Sequence, residues 1–261
     1  MSRIANRLRT LRKTSARIGF GVTKSSVADR RMLVLAGAQG IPAAELLSNL
    51  RGSADAVVLD EGQRAEISAT EMTAVSDDMI VGARLENGAQ LPESLADAGY
   101  DFATCDVDGP MELLSLKAVG CLVQVGPGVE SNRLHAIGDI GVDAVVLLAE
   151  SMDMGTVDAA IECRRMRTVS GKPIIVHLTS AVSAEQISVL WRAGVDAVFV
   201  DASEGVELLK AIRAAVDSAS YESRSSSRDT SVAIGANMTS MNAAIEEEEA
   251  GEEEGEEEDD E

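Results

Sequence analysis

Gly194-Val-Asp-Ala-Val-Phe-Val-Asp201 reads as a short strand: a glycine to end the helix before it, a β-branched apolar run, and an acid at the far end. Three other stretches align with it without gaps: Ser53-Ala-Asp-Ala-Val-Val-Leu-Asp60, Gly99-Tyr-Asp-Phe-Ala-Thr-Cys-Asp106 and Gly141-Val-Asp-Ala-Val-Val-Leu-Leu148. They recur at intervals of 46, 42 and 53 residues. With the similar runs between them, eight strands are expected, over 32–38, 54–60, 79–85, 100–106, 121–126, 142–149, 173–179 and 195–201. The stretches between strands carry apolar residues at helical spacing, such as Ala43, Leu46, Leu47 and Leu50, or Ile187, Leu190, Trp191 and Ala193. Strand then helix, eight times in about 190 residues, is the pattern of an α/β chain folded as a (β/α)8 TIM barrel. The aligned stretches fall on the second, fourth, sixth and eighth strands, so the repeating unit is two strands with two helices, and four units close a ring. A doubly wound open sheet is the competing reading, because alternation alone does not show closure.

Charge divides the chain outside this core. The 261 residues hold 44 acidic and 23 basic side chains, a formal charge of −21. Thirteen of the acids lie in the last 16 residues, and nine Arg or Lys against one Asp lie in the first 31. The sequence therefore divides into a basic N-terminal arm (1–30), the barrel (31–218), and a Ser-rich linker with an acidic tail (219–261) that is expected to be disordered. Residues 2–14 can form an amphipathic helix with Ile4, Leu8 and Leu11 on one face, either docked on the barrel, solvated, or bound to a membrane surface or partner. The acidic barrel surface repels nucleic acid, whereas the tail suits a basic partner. No apolar run approaches the length that spans a bilayer, and there is no signal-peptide pattern, so a cytoplasmic location is expected. A homo-oligomer is compatible with the composition. Cys105, Cys121 and Cys163 read as reduced core thiols, and no CxxC, HExxH or GxGxxG pattern is present.

Strand parity decides which polar side chains can meet on the barrel axis. If the apolar alternates face the helices, the axis receives Gln39, Asp60, Arg84, Glu86, Asp106, Gln124, Glu150, His177, Thr179 and Asp201, each toward the C-terminal end of its strand. That is the end on which barrel enzymes build their sites. Five carboxylates in one pocket need compensation beyond Arg84 and His177. One solution is Mg²⁺ or Mn²⁺ held by acids from Asp60, Asp106, Glu86 and Asp201; the other is a network centred on Arg84 with one or two acids protonated. With a metal, Asp60 and Asp106 hold the ion, Arg84 clamps a substrate carboxylate, and His177 is the general base, with Glu150 beside it. Gln39, Gln124 and Thr179 complete the substrate contacts. A Schiff-base mechanism is disfavoured, since no strand carries an inward lysine: Lys172 precedes the seventh strand and Lys117 falls on an expected helix. Glu204, close to Ser203, opposes a bound phosphate.

At Ala54-Asp-Ala-Val-Val-Leu-Asp-Glu61 the second strand resembles that of the citrate-lyase-beta and HpcH/HpaI aldolase group, over about 35 residues that include Arg84. The resemblance implies a metal-dependent barrel acting on oxo acids or their thioesters, with Arg84 similar to the group's substrate-carboxylate arginine. Gln124 stands where the group has a metal-binding Glu. Residues 195–205 also resemble strand ends of inosine-monophosphate-dehydrogenase-type barrels, without the catalytic cysteine loop. The functional expectation is a divalent-metal-dependent lyase or aldolase acting on a small oxo acid. Its alternative is a non-catalytic barrel that binds or assembles through its charged termini.

Overall fold

Each β-branched run pairs with the next, in parallel and in chain order: β1 (Leu33–Gly37), β2 (Ala56–Leu59), β3 (Ile80–Arg84), β4 (Phe102–Asp106), β5 (Gly120–Val125), β6 (Ala144–Leu147), β7 (Ile174–His177) and β8 (Val195–Asp201). β8 then pairs back onto β1, Leu33 opposite Ala197 and Gly37 opposite Asp201, so the sheet closes and no open edge remains. The chain is a (β/α)8 barrel, and the open-sheet alternative is set aside. The computed structural model describes residues 2–12, 31–39, 45, 49–60, 67–86, 95–149 and 152–221. The helix expected around Ala43 lies largely outside these residues, as do 13–30 of the basic arm and the acidic tail from 222 onward.

The helices are α1 (Arg3–Arg12), α2 (Ala69–Asp78), α3 (Ser131–Asp139), α4 (Val157–Ser170), α5 (Ala184–Ala193) and α6 (Val206–Ser218). Their ends follow local chemistry. Ser183 and Gln186 form a reciprocal capping box that opens α5, and Gly194, at φ 112°, closes it in a left-handed turn that a side chain would strain. The core is aliphatic, lined by buried Val, Leu, Ile and Ala from all eight strands, with Phe102 and Trp191 among its largest members. The three cysteines are free thiols and buried. Among the described residues, no helix is long and apolar enough to cross a membrane.

The aspartate near the start of each repeat has a structural use that the sequence pattern conceals. A parallel strand begins with N–H groups that its neighbours do not satisfy, and an acid on the adjacent strand can accept from one. Asp55 Oδ2 accepts from Val34 N (2.9 Å), Asp143 Oδ2 from Cys121 N (3.1 Å), and Asp196 Oδ2 from Ile174 N (3.2 Å). Each of these three carboxylates also pairs with an arginine: Arg213 at 3.0 Å, Arg9 at 2.7 Å and Arg167 at 2.6 Å, respectively. In the remaining repeat, Asp101 instead holds the start of α1, accepting from Ser2 Oγ (2.7 Å), Arg3 N (2.6 Å) and Ile4 N (2.9 Å).

Those bonds fix α1 to the N-terminal rim of the barrel. Ile4, Leu8 and Leu11 are buried on its inner face, four and three residues apart as a helical stripe requires. Residues 2–12 of the arm are thus docked on the barrel.

Candidate functional site

The strand parity inferred from alternation places its polar residues as expected at the C-terminal mouth. A cavity of about 390 Å³ there is lined by Arg84 from β3, Asp106 from β4, Gln124 from β5, His177 from β7 and Asp201 from β8. Gln39, just past β1, and Thr179, just past β7, stand at its exposed edge, with Leu148, Phe199 and Ser203 completing the wall. Arg84, Asp106, His177 and Asp201 are each the last residue of their strand, which is why all four reach the mouth and not the packed barrel interior. Asp106 lies beside Gln124 in the β4–β5 ladder and His177 beside Phe199 in the β7–β8 ladder.

Arg84 is the organising group. Its Nη2 lies 3.3 Å from Asp201 Oδ2, and its guanidinium stands 5.5 Å from the centroid of the Phe199 ring, a cation over an aromatic face. His177 packs against the same Phe199 ring, with centroids 5.1 Å apart and the two planes tilted by 57°. Phe199 therefore contacts both the cation and the imidazole and limits the positions of both. Gln124 donates from Nε2 to Thr104 Oγ1 at 2.8 Å, which fixes the amide plane and leaves a second N–H on the same nitrogen. Taken together, the cavity offers one guanidinium, one imidazole, two carboxylates and several neutral hydrogen-bonding groups.

Two acids expected on the axis do not line this cavity. Asp60, one residue past the end of β2, and Glu86, two residues past the end of β3 and exposed, are not in its wall. Glu150 lies outside the described residues. The compensation problem is correspondingly smaller than five carboxylates implied: Asp201 is paired with Arg84, and Asp106 is partly exposed. Among the described residues, no three of His, Cys, Asp or Glu gather closely enough to hold a metal ion. Mg²⁺ and Mn²⁺ take oxygen ligands and keep several waters, and among the described residues the carboxylates that this cavity would offer such an ion are Asp106 and Asp201.

Ser203 and Phe199 were not among the expected site residues. Phe199 carried a usable signal, since it shares inward parity with Asp201 two residues on; Ser203 lies on the 3₁₀ turn Ala202–Glu204 after β8, where parity no longer applies. Lys172 and Lys117 do not line the cavity, and Lys117 lies in the bend before β5, not on a helix. His135 is on α3, exposed, 3.1 Å from Asp139 one turn away.

No family model matches the chain, and no curated protein matches it in sequence. Solved structures match its fold. A mutant tryptophan synthase alpha-subunit from the hyperthermophile Pyrococcus furiosus aligns with a TM-score of 0.53 at 16% identity, covering 71% of this chain and 96% of that one. Tryptophan synthase from M. tuberculosis aligns in its open form with a TM-score of 0.58 at 14% identity (82% and 98% covered), and in its aminoacrylate-bound form with 0.57 at 15% (83% and 100%). Such identities establish a shared (β/α)8 architecture.

Proposed function

We propose that the cavity at the C-terminal mouth is the active site of a carbon–carbon lyase acting on a small oxo acid, with Arg84 and Gln124 binding the acid and His177 moving the proton. The observation that carries this reading is the meeting of one guanidinium, one imidazole and two carboxylates, from four strands, in a cavity of small-molecule size at the functional end of a barrel. That the solved barrels similar to it are chains of an enzyme, tryptophan synthase, supports an enzymatic reading.

The chemistry follows from the groups. Arg84 offers a charge-assisted hydrogen bond to a substrate carboxylate, while Asp201 and the Phe199 face hold the guanidinium in place. For a 4-hydroxy-2-oxo acid, His177 takes the proton from the hydroxyl group, the neighbouring C–C bond breaks, and the aldehyde leaves. The electron pair of that bond passes to the enolate of the 2-oxo acid, whose oxygen accepts from the free N–H of Gln124. The imidazolium then returns its proton to the enolate carbon, leaving the enzyme unchanged.

The test is pyruvate release from 4-hydroxy-2-oxo acids by the full chain, read with a coupled reductase, with chelator and with added Mg²⁺ in parallel. Turnover is expected, with His177→Gln lowering kcat by about 10²–10⁴-fold and Arg84→Met acting mainly on KM. If pyruvate is neither released nor bound by the wild-type chain, as read by saturation-transfer NMR, the oxo-acid reading fails.

A further inference from the structure

Helix α4 is apolar on two faces. Ala159, Cys163 and Met166 are buried toward the barrel, as a covering helix requires, but Val157 and Ile161 point the other way and are 78% and 60% exposed. On α5, Val189 is 41% exposed beside them. Two adjoining depressions, of about 290 and 410 Å³, run between these helices and share Val157, Ala160 and Val189, so they form one groove. Scattered apolar residues on a surface need no explanation, whereas a continuous groove rimmed by charge marks a contact.

The rim is polarised. Glu185 stands in the first turn of α5 and Arg192 in its last, while on α4 Asp158 stands in the first turn and Arg164 midway along the helix, all four exposed; Glu185, Arg164 and Arg192 line the groove itself. Glu185, Val189 and Arg192 follow one another at four and three residues, as do Val157, Ile161 and Arg164, so each helix presents a stripe along the groove. A uniformly acidic or basic partner, or an anionic membrane, would be attracted at one end and repelled at the other. A second copy turned by a twofold axis meets no such conflict: its acidic end lies on the basic end of the first, and the apolar centres coincide.

We infer that this groove is the interface of a homodimer in which the α4–α5 pairs of two copies pack antiparallel. The inference is independent of the reaction proposed for the cavity. The test is sedimentation of the full chain at about 0.15 M salt, where repulsion between the acidic tails is screened beyond about 8 Å. A concentration-dependent dimer is expected, weakened on the order of 30-fold or more by Ile161→Glu, a surface change that leaves circular dichroism unaltered. Two further chains decide the register. Arg164→Glu with Arg192→Glu, and separately Asp158→Lys with Glu185→Lys, are each expected to be monomeric, and mixing the two is expected to restore a dimer by re-pairing opposite charges. A monomeric wild type, a dimer indifferent to Ile161→Glu, or a mixture that stays monomeric overturns the proposal.

Discussion

Arg84 at the end of β3 and Asp201 at the end of β8 form an ion pair that spans two intervening strands, β1 and β2, at the mouth of the barrel. Asp201 is buried and Arg84 partly so, which makes the two carriers of opposite charge unequal in what they lose on separation. Arg84→Met should leave Asp201 buried without this partner and lower stability by about 1–3 kcal/mol. Arg84→Lys should keep the charge but not the planar fork, recovering most of the stability and less of the oxo-acid affinity. Urea unfolding beside pyruvate titration separates the two effects, and equal recovery of both would remove the fork from the account.

At the opposite rim, the Arg167–Asp196 pair lies at 2.6 Å with Asp196 fully buried, and the same carboxylate oxygen accepts from Ile174 N. Removing Asp196 leaves both a guanidinium and a strand N–H without it, so Asp196→Ala should cost about 3–5 kcal/mol. The Lys210–Glu207 pair, at 2.8 Å but exposed, should contribute less than about 1 kcal/mol. Comparable urea midpoints for Asp196→Ala and Glu207→Ala would contradict the assignment of Asp196 as a strand-capping residue.

Inside the barrel, a Cβ on Gly82 would fall 2.3 Å from the Phe102 ring. Phe102 is fully buried, so moving it aside would disturb its packed neighbours. Gly82→Ala should therefore destabilise by about 1–3 kcal/mol through overpacking, although alanine suits a strand no worse than glycine. Adding Phe102→Leu should recover part of that loss. A double variant less stable than the sum of the two singles would show that crowding is not the cause.

Burial pushes the Cys163 thiol from 9.0 up to about 12, and the Tyr221 phenol from 10.0 to about 12. Both groups stay protonated in the folded chain while the unfolded chain begins to ionise. The folded state then binds more protons than the unfolded one, so stability is complete below about pH 9 and declines as pH rises toward 12. Cys163→Ala should flatten the lower part of that decline. Thiol labelling at pH 8 provides a second check: Cys163 should react only as fast as the barrel opens, and prompt labelling of the native protein would contradict its burial.

Strand count, chain order and inward parity were all legible from alternation and helical spacing, because both periods are properties of neighbouring residues. Arg84, Asp106, Gln124, His177 and Asp201 could be assigned to one mouth on that basis alone, and they meet there. Asp60 and Glu86 had the correct parity and still fell outside the cavity. Parity specifies the side to which a residue points within a strand; past the strand end the loop decides, and it brings Gln39 and Thr179 to the cavity but not Asp60 or Glu86. The repeat aspartates show the same limit from the other rim: the GxDAV pattern marks where a strand starts, but a neighbouring N–H and a distant arginine give the carboxylate its work.

The amino-acid order thus dictates the eight strand–helix units and the alternation that turns polar residues inward, since these arise from contacts within a few residues along the chain. Closure of β8 onto β1, the Arg84–Asp201 pair and the docking of α1 on Asp101 depend on groups that folding alone brings together, 98 residues apart in the case of Arg3 and Asp101. Their energies come from burial and hydrogen bonding between those distant groups, and no local pattern encodes them.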